Sequence, residues 1–113
     1  MQHWLRGRAA ENKAQQWLQQ QGLTPVTKNF NAKGGEIDLI MMDGSTLVFV
    51  EVRHRTQGTD TALASVDWRK QRRIIKAAQQ YLQRQSTWPA CRFDVIAMAT
   101  DESPIWIKAA FDV

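Results

Sequence analysis

Gly34-Gly35-Glu36-Ile37-Asp38-Leu39-Ile40, a turn at Asp43-Gly44, then Val48-Phe49-Val50-Glu51-Val52-Arg53: this run decides the fold. Two apolar, β-branched-rich segments flank an Asp-Gly pair, the strongest short-range hairpin signal. Each segment carries an acid where valine or isoleucine would pack better. Side chains alternate along a strand, so Glu36, Asp38 and Ile40 share one face of the first strand, and Leu47, Phe49, Glu51 and Arg53 share one face of the second. A two-residue loop at Asp43-Gly44 sets Asp38 opposite Phe49 and diagonal to Glu51. A register slipped by two sets Asp38 directly opposite Glu51. Both keep Asp38, Glu51 and Arg53 on one face, neighbours across the ladder being roughly 5–8 Å apart. A slip of one separates them and turns an apolar set outward. The acids fall at the open end of the hairpin, away from the turn.

Two carboxylates that close on a half-buried sheet repel each other and are costly to desolvate. A hard divalent cation between them removes both costs, and magnesium takes one or two carboxylates together with waters and phosphate oxygens. The competing reading is plain. Both acids are then solvated on an exposed face, or Glu51 pairs with Arg53 along its own strand.

The 113 residues are 43% apolar and 23% charged, ordinary values for one globular domain over residues 1–113 and unlike those of disordered chains. No apolar run reaches the length of a spanning helix, and the first residues lack a signal peptide's apolar core. No membrane partner is expected. The lone Cys91 has no partner for an internal disulfide and reads as a buried small hydrophobe, so a reducing cytoplasm is the expected compartment. Net charge is +4, and the cations cluster. Arg53, Arg55, Arg69, Lys70, Arg72, Arg73 and Lys76 stand against Asp60 and Asp67 alone over that stretch. Such a concentration suits a polyanion, although a solvated helix face explains part of it.

Around the hairpin, Gly7 to Gln21 has helical spacing, with Ala10, Ala14, Trp17, Leu18 and Gln21 on one face, Glu11 beside it and Gly22 as the stop. Leu23 to Asn29 reads as a strand that Pro25 confines to an edge or a strand start. Thr56 to Thr61 is a polar loop. Ser65 or Asp67 caps a helix over Trp68 to Arg84 whose apolar stripe is Ile74, Ile75, Ala78, Tyr81 and Leu82. Its early cations oppose the helix dipole, an inconsistency expected where function overrides propensity. Cys91 to Ala99 and Ile105 to Lys108 are the last strands. The order α-β-β-β-α-β-β predicts an α/β layer fold: a mixed sheet of four or five strands flanked by helices, the acidic hairpin at its centre.

Glu11, Gly35-Glu36-Ile37-Asp38, Phe49-Val50-Glu51-Val52-Arg53, Val66 with Lys70, and Arg92-Phe93-Asp94-Val95 occur in this order. Together they resemble the YraN-like family of small bacterial proteins. That family is similar to the PD-(D/E)XK nuclease superfamily, nearest in layout to archaeal Holliday junction resolvases. The likeness runs from about Gly7 to Phe111. It implies a restriction-endonuclease-like fold and metal-assisted phosphodiester hydrolysis with Mg²⁺ or Mn²⁺. It further implies that Asp38 and Glu51 are acidic ligands, that the Val52 carbonyl is another, and that Glu11 completes the metal site. Arg53 stands where the motif has Lys. Arginine stays protonated and cannot act as a base, yet it can grip a phosphate oxygen and stabilise transition-state charge. Lys70 is the candidate to take over the missing lysine's role.

Two functions follow as expectations. The first is a metal-dependent DNA endonuclease, with branched or single-stranded DNA as candidate substrates. Asp38, Glu51, Arg53 and Lys70 would be its catalytic set. Arg53, Arg55, Arg69, Lys70, Arg72, Arg73 and Lys76 would bind the backbone without reading sequence. The second is a non-catalytic nucleic-acid-binding or adaptor module in which Glu51 and Arg53 form a structural ion pair. Trp68, Trp88 and Trp106 look exposed, and a homodimer is compatible with either function.

Overall fold

The hairpin closes one residue later than the Asp43-Gly44 signal suggests. In the computed structural model β2 (Gly35–Asp43) and β3 (Thr46–His54) pair antiparallel with Asp43 opposite Thr46, which leaves Gly44-Ser45 as the loop. Gly44 has φ 62°, the left-handed conformation that mirror-type hairpin turns require. This register, continued, is the slipped alternative that sets Asp38 against Glu51. The structure describes residues 2–54, 63–99 and 102–112. Arg55 and the loop expected at Thr56 to Thr61 lie outside the described residues.

The element order is α1 (Gln2–Gln20), β1 (Thr24–Ala32), β2, β3, α2 (Trp68–Gln83), β4 (Cys91–Met98) and β5 (Ile105–Phe111), the expected α-β-β-β-α-β-β. The strands lie in sequence order in one five-stranded sheet. β3 and β4 run parallel and the other neighbours antiparallel. A parallel pair needs a crossover, and α2 lies in it. Pro25 sits on the edge strand β1, where its missing N–H does least harm.

One face of the sheet packs Ile40, Phe49, Phe93 and Val95 against Ile74, Ala77, Ala78 and Leu82 of α2. The other packs Leu39, Met41, Val48, Val50 and Ile96 against Ala14 and Leu18 of α1. β3 and β4 are thus covered on both sides, which is why they read as continuous apolar runs. α1 ends in a Schellman motif. Leu23 N–H donates to the Leu18 carbonyl and Gly22 N–H to the Gln19 carbonyl, with Gly22 at φ 103°. Leu23 then packs back into the α1 cluster beside Leu18. Gln21 is exposed and does not join the stripe. Among the described residues no helix is long and apolar enough to cross a membrane.

Cys91 is exposed, not buried. It is the first residue of β4, where the strand has not yet entered the covered sheet, and its Sγ donates to the Pro89 carbonyl at 3.3 Å. Neighbouring apolar residues overstated its burial.

Asp94 is fully buried on β4. It accepts from Arg92 Nε at 2.9 Å and Nη2 at 3.0 Å, from Trp106 Nε1 at 2.9 Å and from the Ala109 amide at 3.0 Å. Ala109 has φ 51° and lies on β5 opposite a register shift between Phe93 and Val95. The carboxylate therefore fixes an irregular edge. Asp94→Asn keeps the shape but weakens charge-assisted bonds, and we expect a loss of about 2 kcal/mol in urea denaturation. An unchanged midpoint would show that β5 is held by its ladder alone.

Candidate active site

Regular pairing of β2 with β3 stops at Leu39 opposite Val50. In the next position the Val52 amide donates to Asp38 Oδ2 at 2.9 Å. Strict alternation also fails here. Ile37 and Ile40 both pack on the α2 side, with Leu39 on the α1 side. The strands part at Asp38, and its carboxylate fills the place of a ladder bond.

Glu51 projects from β3 with its side chain only 3% exposed. Burial first, then the charge of Asp38, push its carboxyl up to about 8, against the opposing pull of Lys70 and Arg53. In its protonated form Glu51 donates a hydrogen bond to Asp38. A carboxyl buried this deeply beside a second acid is a costly arrangement that packing alone does not call for. Hard oxygen donors in this arrangement suit a divalent cation, whose charge would offset both carboxylates at once. The pair fits magnesium or manganese.

Glu11 reaches the same end of the sheet from α1. Burial and then Asp38 raise its pKa, an Asn29 hydrogen bond lowers it, and Glu36 raises it again. Among the described residues no three acidic, histidine or cysteine side chains come close enough to share an ion. Glu11 therefore feels the charge of Asp38 without forming a three-acid cluster with Asp38 and Glu51. Val52 contributes the amide that holds Asp38.

Both expected cations reach Glu51, in different ways. Arg53 Nη1 donates to Glu51 Oε2 at 3.1 Å, Nε to Ser65 Oγ at 2.9 Å and Nη2 to the Ser65 carbonyl at 3.2 Å. Arg53 is a brace between β3 and the approach to α2, with part of its fork already used. Lys70 Nζ lies 3.5 Å from Glu51 Oε2 and keeps 30% of its side chain exposed. It is the cation better placed to meet a ligand. Asp67 caps α2, accepting from the Lys70 amide at 2.9 Å. An acid at the helix start leaves anion binding to the basic side chains.

Gly35 seats α2. A Cβ built there would lie 2.2 Å from the Arg73 carbonyl oxygen. Beside this contact a groove of about 430 Å³ is lined by Gly34, Gly35, Glu36, Lys70 and Arg73. A second, of about 560 Å³, shares Gly34 and Arg73 and adds Arg72 and Lys76. The expected basic residues Lys70, Arg72, Arg73 and Lys76 thus line one track leading from Glu51. Arg69, off this track, and Arg72, on it, both lie over the Trp68 ring, 5.9 and 5.6 Å from its centroid.

The model of the family described as "Uncharacterised protein family UPF0102" matches residues 10–98. The chain belongs to UPF0102. A UPF0102 protein of Janthinobacterium sp. (strain Marseille) is 53% identical over 109 residues, covering 96% of this chain and 88% of that protein. One from Pseudomonas putida (strain W619) is 48% identical over 113 residues, covering 94% and 92%. One from Aeromonas hydrophila is 50% identical over 110 residues, covering 94% and 84%. This is the family that the motifs resemble, and the UPF0102 chain has the mixed sheet of a restriction-endonuclease-like fold. The matched span takes in Glu11, Asp38, Glu51, Arg53 and Lys70.

Sequence reasoning missed three parts of this UPF0102 site. Ser65 as the partner of Arg53 left no signal beyond being a capping candidate. The seat of Gly35 on Arg73 was announced by the double glycine, which said that something comes close but not what. The Asp38–Val52 bond has no sequence signature, because it depends on where the ladder opens.

Proposed function

We propose that this UPF0102 protein is a metal-dependent nuclease hydrolysing DNA phosphodiester bonds in the cytoplasm. The observation that carries the reading is the buried Glu51 carboxyl set beside half-buried Asp38, with Lys70 Nζ 3.5 Å from it. Asp38 and Glu51 would hold Mg²⁺ or Mn²⁺ with the Val52 carbonyl, and Glu11, which forms no three-acid cluster with them, would act on the ion through its charge alone. The ion would supply a water of lowered pKa and polarise the phosphoryl group. Asp38 is oriented for this by the Val52 amide. Lys70 Nζ would meet a non-bridging phosphate oxygen and offset charge that builds as the new P–O bond forms and the bond to the leaving sugar oxygen breaks. Arg53 steadies Glu51 and, with its remaining donors, faces the same phosphate. Arg73, Arg72 and Lys76 carry the backbone past the site, and Arg69 adds charge on the same helix. Self-association is compatible with this scheme.

The test is direct. Labelled duplex, single-stranded and branched DNA are incubated with the protein and Mg²⁺ or Mn²⁺, with chelated controls. Cleavage that needs the metal is expected on at least one substrate, and inertness on all of them overturns the reading. The Arg53–Glu51–Ser65 brace favours a second reading, a binding module that keeps the scaffold without chemistry. Titration calorimetry with Mn²⁺ separates the two. A nuclease takes up the ion and loses it in Asp38→Asn, whereas a closed ion pair gives no heat in either protein.

A further inference from the structure

We propose that Trp68, flanked by Arg69 and Arg72, is a stacking platform for an unpaired nucleobase, and that single-stranded segments are therefore the preferred ligand. This rests on the nucleic-acid reading above and names its substrate class. Trp68 stands in the first turn of α2 and is 61% exposed. An indole is a large apolar surface to leave in water, and on a helix carrying this much charge nothing in the fold requires it there. Two guanidinium groups lie over its ring at 5.9 and 5.6 Å. A π-face bordered by cations matches a nucleotide, which offers a flat base and an anionic phosphate one sugar apart.

Helix geometry connects the platform to the acidic pair. Trp68, Arg72 and Lys76 fall in one i, i+4 column, Arg69 and Arg73 in the next, and Lys70 in the one after, facing Glu51. Trp68 and Lys70 differ by two residues, about 3 Å along the axis but about 200° around it, so they stand on opposite flanks of the helix with Arg69 and Arg73 between them. A strand wrapping the exposed side of the first two turns of α2 would rest a base on Trp68 and run its backbone over Arg69 and Arg73 toward Lys70. A duplex cannot use the platform, because its bases already stack on one another and present only their edges. Trp88 is also exposed, at 67%, but it precedes β4, whose first residue Cys91 lies opposite Leu47 at the turn end of the hairpin. It is remote from Glu51 and belongs to no such column.

The full chain is tested by fluorescence anisotropy with a labelled single strand and the duplex of the same sequence, in chelator so that nothing is cleaved. Trp68→Ala is expected to weaken single-strand binding on the order of tenfold and duplex binding by less than twofold, with Trp68→Phe retaining most of the single-strand affinity. Lys76→Ala should weaken both alike, since it touches only phosphate. Equal losses on both ligands in Trp68→Ala, or unchanged single-strand binding, overturn the platform and leave the nuclease reading standing. A Trp68→Ala protein that turns from dimer to monomer in sedimentation while binding DNA normally also overturns it, the occupant being a second copy. Wild-type protein that binds neither ligand overturns platform and nucleic-acid reading together. Absence of metal-dependent cleavage leaves this binding result untouched.

Discussion

Glu51→Gln is expected to stabilise the metal-free protein above about pH 8 while lowering metal-dependent cleavage on the order of a thousandfold. The folded carboxyl titrates at about 8, against 4.5 for the free group. Between those values the folded chain holds a proton that the unfolded chain has lost. Stability from this group is therefore complete below about pH 4.5, drains as pH rises toward 8, and stays low beyond it. The slope approaches 1.4 kcal/mol per pH unit at most, so the whole loss is about a few kcal/mol. Glutamine keeps a donor for Asp38 and carries no proton to lose. Lys70 and Arg53 lose a partner, but each is about 30% exposed and Arg53 keeps Ser65, so their cost is small. Urea denaturation in chelator at pH 6 and pH 8.5 should give a falling wild-type stability and a flat variant. Mn²⁺ at the higher pH should restore the wild type and leave the variant where it was. A wild-type stability that does not fall between these pH values removes the physical basis for a cation at this pair. Activity that depends on an acid the apo protein would be more stable without is the signature of a functional site.

How much of this was legible beforehand depends on the range of the interaction involved. The hairpin, both helix stripes and the order of elements are local patterns, read from spacing and punctuation. Ile74, Ala78 and Leu82 are buried as their spacing requires, and Pro25 is on an edge. The register was narrowed to two choices, and the choice fell to whether the loop began at Asp43 or at Gly44. What stayed hidden was contact between elements distant in the chain. Nothing local says that Ser65 meets Arg53, that Arg73 lies on Gly35, or that Cys91 emerges from the sheet. The same holds within the acidic site. Asp38 and Glu51 were paired by strand arithmetic, but the opening of the ladder that aims Asp38 at Val52 depends on twist and side-chain packing that residue spacing does not record. Arg53 shows the limit most plainly: its position fitted a phosphate ligand, and its donors turn out to be largely spent on Glu51 and Ser65.

Gly35→Ala is expected to cost about 3 kcal/mol or more and to lower activity with it. The new methyl would lie 2.2 Å from the Arg73 carbonyl oxygen, 2.9 Å from its carbon and 3.3 Å from its Cα. All three are backbone atoms of a helix, so no rotamer change relieves the overlap and α2 must retreat from β2. Ile74, Ala77 and Ala78 are fully buried on the adjoining turn, and lifting them opens the core they fill. Lys70 lies one turn before Arg73, so the same retreat carries its Nζ away from Glu51, now 3.5 Å off. Gly34→Ala is the internal comparison. Its nearest neighbour is the flexible Lys76 side chain at 3.4 Å, while its φ of +87° alone imposes strain, about 1–2 kcal/mol. Urea denaturation of the two variants should rank them in that order. The Glu51 titration supplies a second reading, since withdrawing the Lys70 cation from Gly35→Ala should move that carboxyl further up, whereas Gly34→Ala should leave it in place. Equal stabilities for the two variants would mean that α2 has slack against the sheet, and that Lys70 is not held to Glu51 by the glycine beneath the helix.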